Sequence, residues 1–212
     1  YILTVDMVVV PDINTLDSLD FSSNMLLWHV VLSLLNFLIP SWLIQKLMLI
    51  SIFLISGVGM HRFFSFKEKW PKYCAGIFYM VNPFVYSRLM AGHVGHLAAY
   101  AIFPFLIKAC FDLMDDPNSK KALIALTYFA LIAVMSLPFL YIGVALLGLI
   151  SIYNVWQKKK SLFEIKVFLK SLFLIISGFF LLNFYWIFSA GGLVESFDSV
   201  HREVYMTSAD PV

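Results

Sequence analysis

Charge is scarce in this chain: 13% of its 212 residues are Asp, Glu, Lys or Arg, about half the share of an ordinary globular domain. That shortage excludes a soluble domain. Cysteine is nearly absent as well. Cys74 and Cys110 fall within or beside apolar segments and show no CxxC spacing, which excludes a disulfide framework and a zinc site. P-loop, GxSxG and dinucleotide fingerprints are missing, so the common nucleotide and acyl-transfer chemistries have no foothold, and nothing points to nucleic acid as a partner.

What the chain has instead is 61% hydrophobic and 17% aromatic residues, gathered in long runs, with a mean hydropathy of +0.86. The composition implies an all-α fold, a polytopic transmembrane helical bundle. Runs near the ~18 residues needed to cross hydrocarbon are Trp42 to Phe63, His93 to Phe111, Lys121 to Ser136, Phe139 to Trp156 and Ser171 to Ser189. A shorter sixth, Tyr73 to Val81, is cut off by Asn82-Pro83. Leu26 to Ile39, ending at Pro40, is too short for a clear span and is expected to be interfacial or partly inserted. The expectation is therefore about six spans plus an interfacial helix. Residues 1–190 form the membrane domain and 191–212 begin a non-cytoplasmic region. Because the chain opens at Tyr1 and ends in a polar tail, a fragment of a longer protein is expected.

Basic residues orient the spans. Arg62, Lys67, Lys69 and Lys72 form one cluster, Lys108, Lys120 and Lys121 a second, and Lys158, Lys159, Lys160, Lys166 and Lys170 a third. They fall on alternate connections, so the positive-inside rule places them in the cytoplasm. The segment from Lys158 to Lys170 reads as a short amphipathic helix on anionic headgroups or as an ordinary stop-transfer flank. The opposite face then receives Asp6, Asp12, Asp17, Asp20, Arg88, His93, His96, Glu195, Asp198, His201, Arg202, Glu203 and Asp210. Trp28, Trp42, Trp70, Trp156 and Trp186 lie near span ends, as an aromatic belt requires.

The polar interruption from Asn82 to His93 is where chemistry could sit, since Asn-Pro, Arg88 and two histidines are costly against lipid. Arg88 is either a bidentate phosphate ligand or an interfacial arginine snorkelling to headgroups. His93 and His96, at i and i+3, share a helix face but lack a third metal ligand, so they are candidate substrate contacts together with Asn82 and Tyr86. Asp6 and Asp12 flank an apolar run in the first outer loop; each is a candidate general base or cation holder, or else part of a solvated acidic loop. Asp17 and Asp20 suit capping of the Leu26 helix. Asn183 is expected to hydrogen-bond a neighbouring helix.

The run Tyr79-Met80-Val81-Asn82-Pro83-Phe84-Val85-Tyr86-Ser87-Arg88-Leu89-Met90-Ala91-Gly92-His93, followed by Leu97-Ala98-Ala99-Tyr100-Ala101-Ile102-Phe103-Pro104, resembles a recurring block in large prokaryotic membrane proteins of the GT-C superfamily. These are the mycobacterial arabinofuranosyltransferase-like proteins and related archaeal and YfhO-like proteins. Asn183-Phe184-Tyr185-Trp186 resembles the Asn-x-x-Trp element that follows several spans later, and the likeness covers roughly residues 1 to 190. It implies a multi-pass glycosyltransferase of the cytoplasmic membrane, acting in the cell envelope. A hexosyl or pentosyl group would pass from a polyprenyl-phosphate lipid donor to an acceptor on the non-cytoplasmic face. It also implies that the superfamily's N-terminal span is missing here, and that Asp6, with Asp12 as second choice, is the catalytic base or a carboxylate linked to a divalent cation. The alternative reading of the same broken helix is a non-catalytic transporter, lipid flippase or scaffold.

Overall fold

A computed structural model describes residues 24, 26–65, 67–157 and 162–207, with only the backbone described at 154–157, 162–165 and 189–207. Asp6, Asp12, Asp17, Asp20, Asp210 and the lysines at 158–160 lie outside the described residues. Among the described residues all regular structure is helical, as expected: α1 Leu26–Asn36, α2 Ser41–Phe63, α3 Lys69–Met80, α4 Pro83–Met90, α5 Val94–Asp115, α6 Ser119–Met135, α7 Leu137–Gln157 and α8 Leu162–Thr207.

Prolines and their neighbours set several of the boundaries. Pro40 disfavours helix at the residue before it, and its carbonyl then accepts from Leu43 and Ile44 N–H to start α2. Ser41 Oγ, donating to Asn36 Oδ1 at 2.6 Å, ties the ends of α1 and α2 together. Ser136 alone separates α6 from α7: its N–H closes α6 on Ile132 O and its carbonyl opens α7 by accepting from Leu140 N–H. Asn118 caps α6 by accepting from Lys120 N–H at 3.1 Å.

Central to the bundle is α5, which packs on α2, α4, α6 and α7, while α8 leans on α6. Small residues make this close approach possible: Ala99 and Ala109 of α5 meet Ala122, Ala125 and Ala133 of α6 in one core, with Leu106, Leu113, Phe129 and Ile132 between them. A second core joins Ile52, Val85, Val94, Leu97, Ala98 and Ala101 of α2, α4 and α5. α2 and α3 approach closely through Gly57 and Gly76. Outward, the helices present Leu54, Val58, Ile152, Phe173, Leu181 and Phe188, all well exposed, a surface that water would penalise and lipid would not.

Three helices, α2, α5 and the Lys166–Phe188 portion of α8, are long and apolar enough to cross a membrane. The other helices are shorter or less fully described. α1 and α3 have 11 and 12 residues, roughly 16 to 18 Å at 1.5 Å per residue. α6 has 17 residues and α7 21, about 26 and 32 Å at 1.5 Å per residue. The helix that begins at Leu162 runs through Lys170 into the last span without a break, because nothing between them ends a helix. The stretch after Ala190 continues helical to Thr207; its only interruption is Gly191-Gly192, a penalty of about 1 kcal/mol each, with no proline before Pro211.

The basic end of the bundle carries Arg62, Lys69, Lys72, Lys108, Lys120 and Lys121, where Lys108 Nζ lies 3.4 Å from Arg62 O and Phe63 packs near Phe111. At the other end the start of α5, the α6–α7 turn and α4 converge, with Met135 on the Val94–Leu97 core and Phe84 edge-on to Phe139 at 6.1 Å. A Cβ added at Gly76 would stand 2.9 Å from the Gly57 carbonyl oxygen, a backbone atom that cannot swing aside. Gly76→Ala is expected to lower stability by about 1–3 kcal/mol, read as an earlier thermal melt. Gly148→Ala, whose new methyl group meets nothing within 4 Å, should leave the melt unchanged or slightly later.

Candidate functional site

The polar interruption is built on two prolines. In an α-helix the N–H of a residue satisfies the carbonyl four positions earlier, and proline has none to give. Pro83 therefore leaves the Tyr79 carbonyl free, and Pro104, inside α5, leaves the Tyr100 carbonyl free. The two tyrosines solve each other's problem. Tyr79 Oη donates to Tyr100 O at 2.9 Å, Tyr100 Oη donates to Tyr79 O at 3.0 Å, and the rings stack at 4.1 Å with an interplanar angle of 8°.

Asn82 completes this clasp. Its Oδ1 accepts from Val85 N–H at 3.0 Å, capping α4, while Nδ2 donates to Tyr100 Oη at 2.8 Å and to Tyr79 O at 3.0 Å. Every polar atom of the Asn82 side chain is thus engaged within the clasp.

α4 ends in a Schellman turn. Gly92 adopts φ 76°, a left-handed conformation that favours glycine; its N–H donates to Leu89 O, and His93 N–H donates to Arg88 O at 3.0 Å. Such turns usually place an apolar contact between the residues that stand here as Arg88 and His93. Instead, Arg88 Nη1 lies 3.1 Å from His93 Nδ1. A guanidinium only donates, so His93 accepts at Nδ1 and carries its proton on Nε2. The His96 ring stands 5.2 Å from that of His93, tilted by 33°. Arg88 Nε is buried with no hydrogen-bond partner among the described residues, and the guanidinium lies 5.5 Å from the centre of the Phe84 ring. His93 is also the residue before α5, whose first turn has no side-chain cap.

The structure thus brings Arg88, His93 and His96 together. Tyr86 is 65% exposed on α4 and is not gathered into the cluster. Asp6 and Asp12 lie outside the described residues. No group of three or more His, Cys, Asp or Glu side chains stands together among the described residues. Asn183 is buried but bonds within its own helix, donating to Phe179 O and accepting from Trp186 Nε1 at 2.9 Å, rather than to a neighbouring helix.

Beside the clasp the structure opens a cavity of about 440 Å³ that residue-by-residue reading of the sequence misses. Its walls are almost wholly apolar and include Tyr79, Phe84, Tyr100, Phe103, Phe139 and Ile142. Phe84 is shared: one ring lines this groove and lies near the Arg88 guanidinium. A signal was present, for Tyr79-x-x-x-Pro83 and Tyr100-x-x-x-Pro104 are the same spacing twice.

Set against known proteins, the chain matches no family model, no curated protein and no solved structure. Fold and site define the class by themselves: an all-helical membrane protein with a cationic helix break beside an aromatic groove.

Loss of the Tyr79 hydroxyl alone should destabilise the protein by about 1 kcal/mol, because the Tyr100 carbonyl loses its donor. In a Pro104→Ala background the new N–H can serve that carbonyl, so Tyr79→Phe should cost less there. A double-mutant cycle on unfolding in detergent reads the difference; additive costs would remove Pro104 from this account.

Proposed function

We propose that the protein is a membrane glycosyltransferase of GT-C type, a multi-pass protein of the cytoplasmic membrane whose site faces the non-cytoplasmic side. The observation that carries this reading is the juxtaposition of an anion ligand with an apolar groove, joined through Phe84. An amphipathic phosphate lipid has the matching chemistry: a charged head for Arg88 and a chain for the aromatic walls.

Arg88 offers a planar fork for phosphate oxygens, and its unpartnered Nε is a donor whose desolvation an arriving anion offsets. The start of α5 adds the positive end of a helix dipole beside it. The clasp of Tyr79, Tyr100 and Asn82 holds α3 and α4 at the groove rather than touching the head. In this scheme Asp6, with Asp12 as second choice, takes the proton from the acceptor hydroxyl as the glycosyl carbon leaves the lipid phosphate. A divalent cation is compatible with those carboxylates. The resemblance of the central block supplies the reaction type, and the basic residues gathered at the far end of the bundle support the orientation.

Binding of a polyprenyl phosphate to the full chain tests the site. Arg88→Ala should weaken it by tenfold or more, in line with the ~1.5–3 kcal/mol of a charge-assisted hydrogen bond, and should leave binding of the neutral polyprenol unchanged. Arg88→Lys should fall between, since an ammonium lacks the fork. Phe103→Ala should weaken both lipids. Asp6→Asn should abolish transfer while leaving donor binding intact. Equal phosphate-lipid binding by wild type and Arg88→Ala would overturn the role of Arg88.

A further inference from the structure

A second cavity lies toward the opposite, basic end of the bundle. It measures about 110 Å³, sits between α5 and α6, and is lined by Phe105, Lys108, Asp112, Lys121, Ile124 and Tyr128 among others. Its two levels differ in chemistry. Toward the helix ends stand Lys108 and Asp112 of α5 and Lys121 from the first turns of α6. Toward the bundle centre stand Phe105 and Tyr128, their rings stacked at 6.1 Å, and Ile124, half exposed on the lipid-facing surface.

The charges at the mouth are unequally satisfied. Lys121 Nζ is paired with Asp116 at 2.8 Å. Lys108 Nζ reaches the Arg62 carbonyl in a long 3.4 Å contact and forms no ion pair with Asp112, although the two stand four residues apart on one helix. Lysine preceding an acid is the weaker order for such a pair. Asp112 has no ion-pair or side-chain hydrogen-bond partner among the described residues. It also sits in the last turn of α5, at the negative end of the helix dipole, where a carboxylate is disfavoured until a cation joins it.

We propose that this cavity binds a phospholipid whose head carries both a phosphate and a primary ammonium group. The ammonium donates hydrogen bonds to Asp112, the phosphate accepts from Lys108, and the acyl chains run past Phe105, Tyr128 and Ile124 into the bilayer. A purely anionic head would set its charge against Asp112. A quaternary ammonium has no proton to donate to that carboxylate. The site is separate from the Arg88 cluster, so it stands or falls independently of glycosyl transfer.

The test is lipid retention by the purified full chain, read by native mass spectrometry after equilibration with phosphatidylethanolamine, phosphatidylcholine and phosphatidylglycerol of identical acyl chains. Phosphatidylethanolamine should be retained about tenfold over each of the others, equivalent to about 1.4 kcal/mol. Asp112→Asn should cut the preference over phosphatidylcholine below threefold, Asp112→Glu should keep it, and Lys108→Gln should lower phosphatidylethanolamine retention. Both side chains are exposed, so these variants should melt with the wild type. Equal retention of the three lipids, or a preference that survives Asp112→Asn, would overturn the proposal. Displacement of the lipid by equimolar soluble phosphoethanolamine would also overturn it, by making the chains irrelevant.

Discussion

Two carbonyl groups left without donors organise this molecule. In hydrocarbon an unsatisfied backbone carbonyl costs several kcal/mol, and water is not at hand to relieve it. Pro83 and Pro104 create one such carbonyl each, at Tyr79 and Tyr100, and each is answered by the hydroxyl of the other tyrosine. The helix break in α3–α4 and the proline within α5 are therefore one feature. Either proline in isolation would be a defect, while the pair locks α3 to α5 at a single register.

The functional geometry follows from that lock. With α3 pinned, Asn82 starts α4 at a set angle, and ten residues later the Schellman turn at Gly92 leads the chain into α5. The turn needs a left-handed residue, and it places Arg88 and His93 side by side whatever their side chains are. Phe84, one turn before Arg88, then carries the groove up to the guanidinium. The stability of the clasp and the placement of the charge are coupled through only a handful of backbone bonds.

The surrounding bundle obeys the rules of a lipid solvent. Alanines line the α5–α6 contact because close approach replaces a hydrophobic driving force, and bulky apolar side chains turn outward. Charges collect at the ends, with opposite characters. One end has a histidine-flanked arginine, and the other has lysines interleaved with Asp112 and Asp116. The interior between them holds few polar groups, and those described there are bonded mostly to backbone carbonyls, as with Ser171 to Val167 and Asn183 to Phe179.

Composition and run length by themselves determined the helical membrane character, the positions of α2 and α5, and the polar break at Asn82-Pro83, because these depend on local hydropathy and on the chemistry of proline. The sequence also brought Arg88, His93 and His96 to one segment. At the end of the chain a helix continues through Gly191-Gly192 to Thr207 although the residues are polar, which run length alone does not show. The fold commits every polar atom of Asn82 to the clasp and leaves Tyr86 exposed on α4, which segment-level reading does not show. Only tertiary structure decided that Tyr79 meets Tyr100, that Phe84 joins a groove closed by Phe139 from α7, and that Lys108 reaches the Arg62 carbonyl without pairing with Asp112. Each of these depends on which helix packs beside which, and that is a property of the assembled bundle and not of any segment within it.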